Sequence, residues 1–254
     1  KKIQHYFKAE EIDFERCSGF EILNDNNALQ QIDEVNEKLK TITCLEKTFF
    51  LNQDQIAKFG LQKTEFLVEN PCEGSLHSGK LLQKLLEKSQ SLGIEFLFGT
   101  EVLKIVEDEN KVQIITQFFQ IETQKLVIAT NAFANDLISE VDLIPVRGQI
   151  LLTEPLENLQ LKGTFHYDEG YIYFRNLGNR ILLGGARNQD FETEETTALE
   201  TTEFLQNYLE NFLKEVILPN QEFEISQRWS GIMAMGKEKS PIVKQISNRQ
   251  IVAV

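Results

Sequence analysis

The chain has 254 residues, 41% hydrophobic and 26% charged, a balance that permits a large buried core and excludes a disordered chain. Its formal net charge of -13 comes with no cluster of Lys or Arg able to neutralise a run of phosphates, so nucleic acid is excluded as a partner. The longest apolar runs, Leu126-Val127-Ile128-Ala129 and Ile150-Leu151-Leu152, are far shorter than a membrane span.

Gly19-Phe20-Glu21-Ile22-Leu23 reads as a strand closed by the turn cluster Asn24-Asp25-Asn26-Asn27, which also caps the helix that follows. In that helix Leu29, Ile32, Val35 and Leu39 recur at helical spacing and are expected to face inward. A short helix over Gln53 to Phe59 ends at Gly60, a residue suited to a left-handed stop. Ser75 or Ser78 is expected to cap a helix bearing Leu81, Leu82, Leu85, Leu86 and Leu92, which Gly93 stops. Ile94-Glu95-Phe96-Leu97-Phe98 then reads as a strand, and a helix feeding directly into an apolar strand is half of a parallel crossover unit. Val102 to Val106, Val112 to Ile114 and Phe119 to Ile121 alternate like an antiparallel meander. The unbroken apolarity of Leu126 to Ala129 predicts a strand covered on both faces.

After Pro145 the pattern turns β-rich. Gln149 to Thr153, Thr164 to His166, Tyr171 to Arg175 and Arg180 to Gly184 read as one antiparallel sheet, with turns at Asp168-Glu169-Gly170 and Leu177-Gly178-Asn179. A helix from about Glu194 to Lys214, carrying Leu205, Tyr208, Leu209 and Phe212, is expected to pack on it, followed by a strand over Phe223 to Ser230. No repeat or low-complexity linker separates the two parts, which predicts interwoven domains.

Ordinary catalytic groupings are absent from the residues. The cysteines Cys17, Cys44 and Cys72 are too few and too widely spaced for a disulfide framework or a zinc knuckle, which fits a reduced, cytoplasmic setting. His5, His77 and His166 stand apart without ligand spacing and read as structural or surface residues, so no metal site is expected. There is no G-x-S-x-G elbow and no evident cysteine nucleophile, so hydrolysis has no visible machinery. The sequence opens in a charged segment without an initiator Met and closes on Ile251-Val252-Ala253-Val254, and it reads as the core of a longer protein.

An ordered set of stretches carries more information. Glu73-Gly74-Ser75-Leu76 leads into a helix and Gly93-Ile94 out of it, followed by Thr100-Glu101-Val102, Leu126 to Ala132 and Ile144-Pro145-Val146-Arg147-Gly148-Gln149. Tyr171 to Arg175, Ile181 to Gly185 and Arg228-Trp229-Ser230-Gly231 complete it. In that order and at those separations they resemble the D-amino-acid oxidase family of FAD-dependent oxidoreductases, which includes glycine oxidase, sarcosine oxidase and bacterial amino-acid dehydrogenases. The resemblance implies an α/β (α+β) fold in which an incomplete FAD-binding Rossmann-like domain, residues 72–143 and 233–254, is interwoven with an antiparallel-sheet substrate domain, residues 1–71 and 144–232. It also implies FAD as cofactor, an amine or amino acid as small-molecule substrate, and hydride transfer to the flavin. The family's G-x-G-x-x-G turn, whose backbone approaches the pyrophosphate, does not occur in this sequence, so this stretch alone is expected neither to hold FAD tightly nor to turn over.

Carried over by resemblance, Val102 falls where backbone meets the adenine, and Ala129, Thr130 and Asn131 fall in a turn that approaches the dinucleotide. Taken alone, the same residues read as strand core and an ordinary turn. Arg147, Gly148 and Gln149 resemble the crossing beside the flavin, and Tyr171, Tyr173 and Arg175, on one face of a strand, resemble residues bordering the substrate pocket. A solvent-facing tyrosine ladder ending in a surface ion pair is the alternative for these three. One departure bears on substrate: amino-acid oxidases of the family usually place an Arg just after the Trp-x-Gly stretch to grip a carboxylate, whereas here Gly231-Ile232-Met233-Ala234-Met235 is apolar, with Met233 a pocket residue. Either Arg147, Arg175 or Arg187 holds the carboxylate, or the substrate is an amine lacking one at that spot. The rival readings are a non-catalytic ligand-binding or interaction module on the same sheet scaffold and a nicotinamide-dependent dehydrogenase.

Overall fold

The computed structural model describes residues 2–238 and 240–254. The chain divides into two compact units, one made of Lys1–Ile94, Gln149–Asp190 and Glu200–Trp229, the other of Glu95–Gly148, Phe191–Leu199 and Ser230–Val254. The first unit opens with α1 (Lys2–Tyr6), β1 (Gly19–Leu23), α2 (Asn26–Thr43), β2 (Phe50–Leu51), α3 (Asp54–Phe59), β3 (Phe66–Asn70) and α4 (Ser78–Ser91). The second opens with β4 (Val102–Glu107), β5 (Val112–Thr116), β6 (Gln120–Thr123) and β7 (Leu126–Ile128). β8 (Leu143–Thr153) has residues in both units. The first then takes β9 (Thr164–Tyr167), β10 (Ile172–Leu177) and β11 (Arg180–Gly185), the second α5 (Phe191–Glu194), and the first α6 (Glu203–Phe212). β12 (Ile225–Gly236) again has residues in both, and β13 (Val243–Gln245) and β14 (Gln250–Ala253) end the second unit.

The fold is mixed α/β with one large sheet of eight strands in the order β12-β8-β11-β10-β9-β1-β3-β2. It is antiparallel at every described pair except β1 beside β9, which run parallel. Alternation along strands fixes which side is the core. Phe20, Phe165, Phe174, Leu183 and Leu151 stand opposite one another across five strands. Phe165 stacks on Phe20 at 4.8 Å and on Phe174 at 4.7 Å, and Phe59 meets Phe20 and Phe165 edge-on. Onto this row pack Leu205, Leu209 and Phe212 of α6 and Leu213, Val216 and Ile217 of the π-helical turn that continues it.

Several expected elements form with shifted limits. α6 begins at Glu203, well after Glu194. The β-branched pair Thr201-Thr202 loses side-chain freedom in a helix, and Gln149 accepts from Thr202 N–H at 3.0 Å and donates to its Oγ1 at 2.9 Å, so the helix starts where its first free amide is satisfied. β10 begins at Ile172, which leaves Tyr171 in the preceding turn, and β12 runs on to Gly236. His77, not a serine, caps α4: its Nδ1 accepts from Lys80 N–H at 3.3 Å. In α2 the inward position belongs to Asn36 and not to Val35, because Asn36 Oδ1 accepts from the backbone of Thr48 and Phe49 and its amide donates to Phe49 O.

The second unit holds the expected antiparallel meander β4-β5-β6 and a separate sheet in the order β13-β14-β7, with β14 and β7 parallel. One face of the latter carries the core of Ile128, Val252, Val141, Leu143 and Ala134. On the other, Val127 is 59% exposed beside Ile251, so β7 is covered on one face rather than both. The strand expected at Ile94 to Phe98 does not form: no described strand lies alongside it, and Phe96 and Phe98 stack on each other at 5.6 Å. Among the described residues no helix is long and apolar enough to cross a membrane.

Phe165 is 1% exposed at the centre of the aromatic row. Phe165→Ala is expected to cost about 3–5 kcal/mol in denaturant unfolding, whereas Leu82→Ala on α4, at a site 70% exposed, should stay within about 0.5 kcal/mol.

Candidate functional site

In the first unit the side of the eight-stranded sheet opposite the core carries a second row in register: Ile150, Gly184, Tyr173, His166, Glu21 and Val68. A Cβ on Gly184 would stand 2.3 Å from Ile150 Cδ1 and 2.9 Å from Tyr173 Cε2, so only glycine leaves room for the tyrosine ring beside it. Burial raises the Tyr173 phenol above its ordinary value, which keeps it a neutral hydrogen-bond donor. Next in the row, His166 Nδ1 lies 3.6 Å from Glu21 Oε2. Its pKa is raised chiefly by the adjacent Glu21 carboxylate, with desolvation opposing and the charge of Glu73 adding. Arg175, two residues beyond Tyr173 on the same face, donates from Nη1 to Leu76 O at 3.0 Å. It borders a cavity of about 190 Å³ lined also by Asp13, Glu15 and His77.

Tyr171 stands at the end of this sheet rather than on the face. Its carbonyl accepts from Ala186 N–H at 2.6 Å, and a Cβ on Gly185, whose φ is +104°, would lie 1.9 Å from that same oxygen. Ala186 follows with φ +63°, a left-handed conformation that a residue with a Cβ adopts only under tertiary constraint. This turn sets the Arg187 guanidinium over the Tyr171 ring, 5.4 Å from its centroid. One residue on, Asn188 donates from Nδ2 to Asp168 at 2.7 Å, and its Oδ1 is buried without a hydrogen-bond partner among the described residues.

Gln149 is fully buried, and besides holding Thr202 it accepts from Gln206 Nε2 at 3.2 Å. Gln206 in turn accepts from Arg228 Nη1 at 2.6 Å. The arrangement ties β8 to α6 through side chains that sequence periodicity does not single out.

In the second unit Arg147 is the largest fully buried side chain. Its Nε donates to Glu194 Oε2 at 3.0 Å and its Nη2 to Glu194 Oε1 at 2.6 Å, a two-point pair with both partners out of water. Gly148 beside it is buried, and Val102 is half-buried at the start of β4, where the register shifts. Ala129, Thr130 and Asn131 are exposed just past the carboxyl end of β7, with Asn131 at φ +52°. Asn131 donates from Nδ2 to Ile232 O at 3.3 Å, which brings this turn to β12 beside the exposed Met233.

A flavin dinucleotide needs an accessible turn at the carboxyl ends of parallel strands and a backbone it can approach closely. The Ala129–Asn131 turn beside the parallel pair β7 and β14 meets the first need, and Gly231 the second, since a Cβ there would meet nothing within 4 Å. Both features leave backbone accessible in the second unit. Among the described residues no cluster of three or more His, Cys, Asp or Glu is placed to hold a metal ion.

Over residues 2–254 the chain matches the family described as FAD dependent oxidoreductase. The chain belongs to the FAD-dependent oxidoreductase family. It is 25% identical over 168 residues to D-amino acid dehydrogenase of Vibrio atlanticus (strain LGP32), a match covering 63% of this chain and 38% of that protein. The same identity holds over 169 residues against D-amino acid dehydrogenase of Bradyrhizobium diazoefficiens, again 38% of that protein's length. L-proline dehydrogenase from P. horikoshii shares the fold at a TM-score of 0.84 and 18% identity, over 99% of this chain and 70% of that one. Glycine oxidase from Geobacillus kaustophilus does so at 0.81 and 18%, over 99% and 68%.

Two measurements test the geometry of this family member. Removing one partner of the buried pair, by Arg147→Met or Glu194→Gln, should cost about 3–5 kcal/mol, and the double replacement Arg147→Met with Glu194→Leu should recover most of it. For His166 the folded-state pKa lies above the ordinary 6.5, so the pair with Glu21 stabilises the fold at low pH, and that stabilisation is lost as pH rises through the raised value. Glu21→Gln should therefore move the NMR titration midpoint of His166 down toward 6.5.

Proposed function

We propose that this chain is part of a cytoplasmic FAD-dependent enzyme that oxidises the amine of an amino acid. The observation that carries the reading is the family match across residues 2–254, with two relatives named D-amino acid dehydrogenase.

When bound, the flavin supplies the two-electron oxidant: a hydride leaves the carbon bearing the amine, and water hydrolyses the resulting imine. The protein's part is to orient and to exclude water. In this reading Ala129, Thr130 and Asn131 form the turn that approaches the dinucleotide, with Val102 near the adenine. Arg147, Gly148 and Gln149 act beside it as supports: the buried pair with Glu194 and the bonds to Thr202 and Gln206 fix the course of β8. Tyr173, pinned against Gly184 and protonated at neutral pH, presents a hydroxyl donor to the substrate, with Arg175 on the same face of β10 and Tyr171 in the turn before it. His166 with Glu21 joins this group as a pair that sequence reasoning passed over.

The test is to express the full-length gene and record its visible spectrum before and after anaerobic addition of D- and L-amino acids. Flavin bands that bleach with an amino acid are expected. A colourless protein, or bands that no amino acid bleaches, would overturn the reading.

A further inference from the structure

We infer that His166 is the base that takes the proton from the substrate's ammonium group before the amine is oxidised, with Glu21 as the positioning residue that holds its ring. The inference rests on the flavoenzyme reading above and adds the residue that readies the substrate.

The chemistry sets the need. Near neutral pH an amino acid carries its amine as ammonium, whose nitrogen has no lone pair. When the Cα–H bond breaks and its electron pair leaves as hydride to the flavin, the carbon is left electron-poor, and the nitrogen must supply the pair that closes the C=N bond. One N–H bond therefore breaks first, its electrons stay on nitrogen, and the proton passes to a base.

The polar face of the large sheet offers few groups able to receive that proton. Tyr173, opposite His166 across β9 and β10, stays a protonated phenol at neutral pH. Arg175, two residues further along β10, is a permanent cation. Ile150, Gly184 and Val68 carry no titratable group. Glu21, opposite His166 across β1 and β9, is engaged with the imidazole, its Oε2 lying 3.6 Å from His166 Nδ1. That leaves His166, an imidazole, the side chain whose ordinary pKa lies nearest neutrality.

The pair also sets the ring up for the task. A carboxylate beside Nδ1 keeps the proton on that nitrogen and leaves Nε2 as the acceptor, and Nε2 makes no hydrogen bond among the described residues. The His166 side chain is 57% exposed, so a proton it has taken passes on to water. The charges acting on the ring come from Glu21 on β1 and from Glu73 in the segment after β3, and both are negative, while β10 presents the neutral Tyr173. They strengthen the imidazole as a base and stabilise the imidazolium formed when it accepts the proton.

The experiment follows kcat/KM of the full-length holoenzyme with its best amino-acid substrate from about pH 6 to about pH 10, a range that spans the ordinary values for imidazole and amine. In the wild type kcat/KM should fall as pH drops through the pKa of His166, because imidazolium accepts no proton. His166→Asn, which keeps a donor for Glu21, should lower kcat/KM about 100-fold at neutral pH. The deficit should shrink as pH approaches the substrate's own ammonium pKa, where the amine arrives already neutral, and added imidazole should restore part of the activity at neutral pH. Glu21→Gln should keep the enzyme active and move the acid limb to lower pH, in step with the NMR titration midpoint of His166. An unchanged Tm would show that the fold is intact, and if His166→Asn unfolds, the position of the Glu21→Gln limb decides. A loss of the same size at every pH without imidazole rescue, no loss at all, or an acid limb that Glu21→Gln leaves in place would overturn the inference while the flavoenzyme reading stands. A wild-type protein that neither binds flavin nor oxidises an amino acid would instead remove that reading and this inference with it.

Discussion

The stacking of Phe165 between Phe20 and Phe174 is the interaction on which the rest of the first unit depends. It joins the adjacent strands β9 and β10 to β1 from far earlier in the sequence, which runs parallel to β9, and it sets the register of all three at once. A strand's side chains alternate, so a slip of one residue would turn every aromatic outward and every polar residue inward. The polar row of Tyr173, His166 and Glu21 is thus a consequence of the aromatic row. Burying one set of alternate positions leaves the other set aligned on the opposite side.

The same alternation has a different outcome in β8. Arg147 and Gln149 are two residues apart, and both are drawn into dry surroundings where each is fully engaged, one by a carboxylate and the other by the start of a helix. Groups of this kind are tolerated inside proteins only when their hydrogen bonds are met. They hold the strand's path.

Much of the fold was readable where local chemistry decides it: the left-handed stop at Gly60, the meander before Leu126, and the hairpin at Leu177-Gly178-Asn179 with its alternating flanks. What was not readable depended on partners remote in sequence. Asn36 is inward because a later loop needs its amide, and α6 starts late because Gln149 waits at Thr202. Ile94 to Phe98 has strand composition but no neighbour among the described residues with which to pair. At the site, Tyr173 and Arg175 could be placed on one face from spacing alone. His166 and Glu21 could not, because nothing local announces that β1 will lie parallel to β9. The Tyr171–Arg187 contact was hidden for a similar reason, since it depends on a turn in which Ala186 adopts a conformation that composition argues against.

β8 and β12 each run unbroken from residues of one unit into residues of the other. A strand is a single mechanical rod: its backbone cannot lose order in one half without loosening the ladder in the next. A substitution that frays β8 or β12 therefore bears on residues of both bodies.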